Sequence, residues 1–183
     1  MPQIHKFSTY EYYHVYNRGI DKRQIFLDFR DRTRFINFLF LCNGTKPVRI
    51  SDMPSKSNVF RVERGNTLVD IGAYCLMGNH LHLLLHEKNQ NGISAFMQKL
   101  TTAYVMYFNR KHERTGAFFE GTYKAKHLDE DDYLKYIFPY IHLNPVEHIE
   151  PEWKELGIKN MKKVKAYLAS YIHSSYLDYT GRE

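Results

Sequence analysis

The feature that most constrains this chain is the order in which two hydrophobic patterns alternate along it. Strand-like segments, with apolar, aromatic or β-branched residues, are 10–17, 68–77, 80–86 and a short basic segment, 117–127, that is either strand or loop. Segments with apolar residues at helical spacing are 28–42, 93–114 and 129–144. The order of strand, helix, hairpin, helix, strand and helix favours an antiparallel sheet with helices packed on one face.

This order predicts an α+β fold, for which a ferredoxin-like antiparallel sheet with helices packed against it is the simplest candidate. The length of 183 residues suits one domain spanning residues 1–183. Prolines, serines and glycines make residues 44–66 a long loop or hairpin arm. Residues 151–183 are lysine-rich and then tyrosine-rich, which indicates a basic C-terminal helix followed by a docked tail.

Charge and cysteine content narrow the class of protein only partly. Lysine and arginine number 26 against 20 acidic residues, and the isoelectric point near 9.2 suits a phosphate-bearing partner without requiring one. Cys42 and Cys75 form no CxxC pair and lie in apolar sequence, so we expect buried, reduced thiols. No segment approaches the roughly 20 apolar residues that span a bilayer, and the start of the chain lacks a signal-peptide core. We expect a cytoplasmic protein without membrane contact.

The strongest local signal for a functional site is the pair His80 and His82, followed by a run of leucines. Residues two apart on a strand point to the same side, so the two imidazoles share one face while Leu81 and Leu83 point into the core. Neutral imidazoles side by side suit a divalent metal. The pattern alone leaves open a half-exposed strand whose outer face carries histidines.

A second signal is Tyr140 followed four residues later by Asn144, just before Pro145. Positions four apart lie on one face of a helix, so the phenol and the amide project together. A tyrosine oxygen can attack a phosphodiester whose phosphate a metal polarises, and the amide oxygen can ligate that metal. The alternative is a packing tyrosine and a helix-ending asparagine. Tyr133 and Tyr136 share the same helical segment, but neither has an asparagine four residues on.

Together with other segments, these residues form a pattern that resembles the sequences of the HUH single-tyrosine transposases, and most closely those of their REP-associated branch. The resemblance covers roughly residues 10–178. Its segments are Tyr13-His14-Val15-Tyr16-Asn17-Arg18-Gly19, Gln24-Ile25-Phe26, Met77-Gly78-Asn79-His80-Leu81-His82-Leu83-Leu84, Tyr107-Phe108-Asn109-Arg110, Gly116-Ala117-Phe118-Phe119-Glu120-Gly121, Tyr140-Ile141-His142-Leu143-Asn144-Pro145-Val146 and Ser174-Ser175-Tyr176.

The resemblance implies a fold, a metal and a reaction. The fold is the ferredoxin-like sandwich of HUH endonucleases, and the metal is Mg²⁺ or Mn²⁺ on His80, His82 and Asn144. Tyr140 is implied as the nucleophile that leaves a free 3′-hydroxyl and a 5′-phosphotyrosine link in single-stranded DNA carrying a hairpin or palindromic repeat. The sequence leaves monomer and homodimer open.

Two features depart from the family's pattern or strain it. Phe138-Pro139 precedes the tyrosine where relatives often carry a basic residue, so the nucleophile's helix is expected to kink or to restart at Pro139. The segment 44–66 is also long for the family.

Basic residues near the site segments are candidates for tracking a phosphate backbone. They are Arg18, Arg23, Arg110, Lys111, Lys124 and Lys126. His14 reaches the site if its strand neighbours that of His80.

Three other interpretations remain open at this point. The chain could be a sheet that binds single-stranded nucleic acid without cutting it. It could be a metal-dependent nuclease that activates water and leaves Tyr140 dispensable. It could also be a domesticated relative that binds DNA and is weak in catalysis.

Overall fold

The computed structural model describes residues 6–47 and 59–181. Its centre is a four-stranded antiparallel sheet made of β1 (Tyr12–Arg18), β2 (Val69–Leu76), β3 (His80–Glu87) and β4 (Lys124–His127). The strand order is β2-β3-β1-β4, so the two central strands are β3 and β1. This order, with one helix before β2 and one before β4, confirms the predicted ferredoxin-like fold.

Two long helices cover one face of the sheet. They are α1 (Phe29–Cys42) and α2 (Gly92–Lys111), and both follow the apolar spacing read from the sequence. Buried residues at helical spacing, such as Phe35 and Phe38 of α1, meet Leu81 and Leu83 of β3 in one large apolar cluster. The alternation of leucines along β3 therefore anchors the strand to this helical layer.

The third helix, α3 (Asp131–Leu143), lies on the opposite face of the sheet. Its Ile137 and Ile141 pack against Ala73 and Cys75 of β2 and Leu84 of β3. The expectation that all helices pack on one face is therefore wrong, because these strands carry apolar side chains on both faces and each face needs a covering layer.

Pro139 lies inside α3, which runs as a single helix from Asp131 to Leu143. The expected restart at Pro139 is therefore not observed. Proline removes one backbone hydrogen bond, but Pro139 is exposed and water can reach the carbonyl group that is freed. The buried residues on either side of it, Ile137 and Ile141, hold both halves of the helix on the sheet.

The C-terminal part of the chain forms short helices and closes one edge of the sheet. A 3₁₀ helix (Asn144–His148) follows α3, and α4 (Trp153–Leu156), α5 (Met161–Ser170) and α6 (Tyr176–Thr180) come next. Between α5 and α6 the backbone pairs with the outer edge of β2, through Leu76 N to His173 O at 3.0 Å and Ser175 N to Tyr74 O at 3.0 Å. This pairing satisfies backbone groups that an edge strand leaves open.

The proposed arm at residues 44–66 is described only at its two ends. Residues 59–61 form a 3₁₀ turn whose Val59 is buried, whereas residues 48–58 lie outside the described residues. Both cysteines, Cys42 and Cys75, are buried and free, as expected. Among the described helices, none has the length and apolar composition needed to cross a membrane.

The N-terminus of α2 is capped by a side chain from the preceding strand. Its own cap residue, Asn91, has a left-handed backbone (φ 66°) and makes no side-chain cap hydrogen bond. Instead, the fully buried Glu87 accepts hydrogen bonds from Gly92 N at 3.0 Å and Ile93 N at 2.6 Å. A carboxylate suits the positive end of the helix dipole and satisfies two amide groups that have no partner within the helix.

We expect Glu87→Ala to lower the free energy of unfolding by about 2–3 kcal/mol, because two buried amide groups lose a charged acceptor. Urea denaturation monitored by circular dichroism measures this loss. Glu63→Ala is the matched control, since that carboxylate is 82% exposed and pairs with Lys46 at the surface. It should change the free energy of unfolding far less, because an exposed ion pair contributes little, and equal losses in the two variants would contradict the capping role of Glu87.

Candidate active site between the sheet and the third helix

The two candidate metal-binding histidines lie at the start of β3, on the face that α3 covers. His80 and His82 are the first and third residues of the strand, so the strand geometry places both side chains on that face. Their ring centroids are 5.1 Å apart and the ring planes are nearly perpendicular, at 89°. His82 is buried, with 7% of its surface exposed, whereas His80 is half-buried.

Neighbouring side chains hold one ring nitrogen of each histidine. Nδ1 of His80 lies 2.6 Å from the amide oxygen of Asn79, whose amide nitrogen donates to the carbonyl of Lys22. Nδ1 of His82 lies 2.9 Å from Nε2 of His14, a buried residue of the adjacent strand β1. With Nδ1 acting as donor in both rings, each histidine keeps the lone pair of Nε2 for a ligand.

Burial keeps these imidazoles neutral. Desolvation lowers the pKa of His80 to about 4, against an opposing effect of Glu147. It also lowers the pKa of His14 to about 4, with a smaller contribution from the charge of Lys126, and it lowers that of His82 well below its ordinary value. Neutral imidazole is the form that ligates a metal, so His80 and His82 can bind a cation at neutral pH.

Helix α3 places Tyr140 beside the two strands that carry these histidines. The Tyr140 ring lies 5.8 Å from the His82 ring and 6.1 Å from the His14 ring, both measured between centroids and both nearly perpendicular. Ile137 and Ile141, the buried residues on either side of Tyr140, fix the helix on the sheet. The structure thus brings the strand histidines and the helix tyrosine together within one chain.

Asn144 completes this group one turn after Tyr140. It is fully buried, and its amide nitrogen donates to the carbonyl oxygen of Tyr140 at 2.8 Å. Its amide oxygen is also buried, yet no described residue hydrogen-bonds to it. A buried polar atom without a partner costs free energy, so an unpaired oxygen at this position favours a ligand.

The donor atoms present fit a divalent cation. Neutral imidazole nitrogens suit divalent transition metals, and an unpaired amide oxygen suits harder cations such as Mn²⁺ and Mg²⁺, with substrate or water oxygens in the remaining positions. No three His, Cys, Asp or Glu side chains are grouped for metal binding within residues 6–47 and 59–181. The third donor of this group is the amide oxygen of Asn144, and asparagine is not one of those four residue types.

A cavity of about 500 Å³ opens onto these residues and contains both Tyr140 and Asn144 in its wall. Three basic and two acidic side chains also border it. They are Arg18, Lys124, Lys154, Glu120 and Glu147. Each acid pairs with one base, through Arg18 Nε to Glu120 at 3.0 Å and Lys154 Nζ to Glu147 at 3.2 Å. The wall therefore carries a net positive charge, which suits a phosphodiester.

The structure places the predicted DNA-binding residues in different environments. Arg18 and Lys124 border the cavity, and Lys126 lies two residues further along β4, where its ammonium contacts Tyr133. Arg23 pairs with Asp21 at the surface, and Arg110 is exposed near the end of α2; neither borders the cavity. Lys111 is held by Asp28 and the buried Asp31, which gives it a structural role between α2 and α1.

Sequence reasoning gave no role to several residues of this site. Asn79 and Glu120 lie inside the segments that carry the family resemblance. Their place in these segments was the sequence signal that could have indicated a role in the site. Glu147 and Lys154 lie beyond those segments, in a stretch where charged residues are frequent. Only the packing of the C-terminal part against the site brings them to the cavity.

Comparison with known proteins gives one family and one fold. The sequence matches the family described as "Transposase IS200 like" over residues 49–144, just over half of the chain. Among solved structures, the chain is similar to a REP-associated tyrosine transposase bound to a REP hairpin. The TM-score is 0.62 at 11% identity, and the alignment covers 100% of this chain and 87% of that one. No curated protein matches the sequence.

We expect the metal-free protein to lose stability as the pH falls from about 6.5 to 5. His14 and His82 are buried and have lowered pKa values, so the unfolded chain binds their protons first and acidification favours unfolding. Each should contribute about 1–2 kcal/mol across this range. Carboxylates titrate mainly below it, so urea denaturation at several pH values isolates the histidines. A free energy of unfolding that stays constant from pH 7.5 to 5 would show that they are not held neutral.

Proposed function

This chain belongs to the IS200-like transposase family, and from that premise we propose that it cuts and rejoins single-stranded DNA through a tyrosine–phosphate bond at Tyr140. The observation that carries the proposal is the meeting of Tyr140, His82 and Asn144 at one cavity, with the unpaired amide oxygen of Asn144 buried there. All three come from the same chain, so the group is complete without a second copy.

The proposed reaction transfers the scissile phosphate first to the hydroxyl group of Tyr140 and then to a second 3′-hydroxyl. The phenol oxygen of Tyr140 attacks the scissile phosphorus and releases its proton, while the bond from phosphorus to the 3′ oxygen breaks and that oxygen leaves as a 3′-hydroxyl. The strand on the 3′ side stays attached to the enzyme as a 5′-phosphotyrosine. A second 3′-hydroxyl then attacks the same phosphorus and restores the phenol. The bond energy is conserved, so no nucleotide cofactor is required.

The residues around Tyr140 suit this reaction. His80, His82 and Asn144 would hold Mg²⁺ or Mn²⁺, which when bound polarises the scissile phosphate. Asn79 and His14 orient the two imidazoles through their Nδ1 atoms. The hydrogen bond from Asn144 to the Tyr140 carbonyl ties the third donor to the turn that carries the nucleophile.

The proposed substrate is single-stranded DNA that carries a hairpin or a palindromic repeat, as in the REP-associated branch of the family. The similar solved structure is bound to a REP hairpin, which supports this choice. Arg18 and Lys124 border the cavity, and Lys126 lies on β4 with Lys124. These three residues would contact the phosphates of the strand that enters.

We expect Tyr140→Phe to abolish the covalent adduct while changing the DNA dissociation constant less than about threefold, because it removes only the attacking oxygen. The measurement uses hairpin DNA with a single-stranded flank and Mn²⁺, followed by denaturing electrophoresis. A label at the 3′ end should move with the protein, whereas a label at the 5′ end should be released.

Tyr136→Phe is the matched control, since its ring stacks on that of Tyr140 at 5.9 Å but has no asparagine one turn later. It should keep the adduct. Cleavage without any adduct in the wild type, retained by Tyr140→Phe, would instead support a nuclease that activates water. Binding without cleavage would support a purely DNA-binding protein.

We expect His82→Ala and Asn144→Ala each to weaken Mn²⁺ binding by about tenfold or more, because each removes one proposed ligand. Isothermal titration calorimetry in the absence of DNA measures this directly. His86→Ala is the control, since His86 lies on the same strand but pairs with Asp70 away from the cavity. Unchanged Mn²⁺ affinity in His82→Ala would exclude the proposed metal site.

A further inference from the structure

The active-site cavity includes a charged pair from the C-terminal part of the chain. Lys154 belongs to the short helix α4, and Glu147 to the 3₁₀ helix that follows Asn144. Both lie beyond residues 49–144, the region matched by the family. We propose that Lys154 binds the scissile phosphate beside Tyr140 and that Glu147 positions it. The proposal rests on the proposed function, since it assigns one more catalytic residue to that reaction.

The position of Lys154 relative to the nucleophile carries the argument. Its ammonium nitrogen lies 5.5 Å from the centroid of the Tyr140 ring, and the same cavity wall includes His80 and His82. A phosphate that receives the attack of the Tyr140 oxygen must form a partial bond to the phenol oxygen in the transition state, so it lies directly beside that oxygen. An ammonium group on a flexible stem beside that ring can reach the non-bridging oxygens of such a phosphate.

Glu147 holds this ammonium group at the cavity. Its carboxylate lies 3.2 Å from Lys154 Nζ, and the Lys154 side chain is 33% exposed. Glu147 follows Asn144 by three residues in the 3₁₀ helix, so the pair links Lys154 to the element that directly follows the nucleophile's helix. The lysine is therefore partly ordered before substrate arrives, which reduces the entropy lost on binding.

The other basic residues at the cavity are less suited to this role. The guanidinium of Arg18 is fixed by Glu120 through two hydrogen bonds, at 3.0 and 3.2 Å, whereas Lys154 makes a single contact of 3.2 Å with Glu147. Lys124 lies on the edge strand β4, opposite Tyr16. Within the described residues, the ammonium of Lys154 contacts the Tyr140 ring, whereas Arg18 and Lys124 make no such contact. Negative charge on the non-bridging oxygens must be stabilised as the phenol attacks, and a nearby cation does this most effectively.

The test compares Lys154→Gln with the wild type on two substrates. One carries an ordinary phosphodiester at the cleavage position, mapped first with the wild type, and the other carries a neutral methylphosphonate there. On the phosphodiester we expect adduct formation to slow by about 10²-fold at saturating enzyme and Mn²⁺, as for the loss of one charged donor to a transition state. On the methylphosphonate the difference between the two enzymes should shrink to less than about threefold, because the charge that Lys154 contacts is absent.

Three variants separate this role from a structural one. Lys154→Arg should recover most of the rate, since it keeps the charge. Glu147→Gln should slow adduct formation less than Lys154→Gln, because it loosens the lysine without removing it. Lys159→Gln, in the same part of the chain but 67% exposed at its side chain and away from the cavity, should react like the wild type.

Each result decides the proposal. Equal rates of Lys154→Gln and wild type on the phosphodiester, or an equally large difference on both substrates, would overturn it. If the methylphosphonate does not react, the same comparison is made on DNA binding in the Tyr140→Phe background. There, replacing the phosphodiester by the methylphosphonate should weaken DNA binding when Lys154 is present and not when it is replaced by glutamine. Equal weakening with and without Lys154 would overturn the proposal. Absence of any adduct with the wild type would instead refute the proposed function itself.

Discussion

The rest of the structure depends on the two faces of one central strand, β3. Leucines on one face enter the core formed with α1 and α2, and the first two residues of the other face are His80 and His82. Because side chains alternate strictly along a strand, shifting the register by one residue would turn the histidines towards α1 and α2 and the leucines towards the face that α3 covers. Anchoring of the leucines therefore also orients the imidazoles. The antiparallel pairing with β1 then brings His14 within hydrogen-bonding distance of His82.

A second layer places the nucleophile over this face. The apolar residues of α3 pack on β2 and β3 in a cluster of their own, separate from the larger core. The C-terminal segment holds the helix from its other side, where Ser175 bonds to His142 at 2.8 Å and Tyr179 packs edge-on against Phe138. The segment also pairs with the edge of β2, so one piece of chain ties the helix to the sheet. The position of Tyr140 thus depends on both layers.

Much of the fold could be predicted because its signals are local. The apolar stripe of α2 and the alternation along β3 place both elements within a few residues of their observed bounds. The side of the sheet that α3 covers could not be predicted, since an apolar helix face does not specify which apolar surface it meets. Pro139 indicated a kink or a restart, and the helix does not restart there, because burial of Ile137 and Ile141 outweighs one lost backbone hydrogen bond.

The sequence by itself determined which side chains share a face within one element. It paired His80 with His82 through the two-residue period of a strand, and Tyr140 with Asn144 through the helical turn. The tertiary structure alone decided that these two pairs meet, that His14 bonds to His82, and that Lys154 enters the cavity. The physical reason is the range of each signal. Periodicity reports contacts within about one turn or one strand, whereas these contacts join residues far apart in sequence through packing of separate layers.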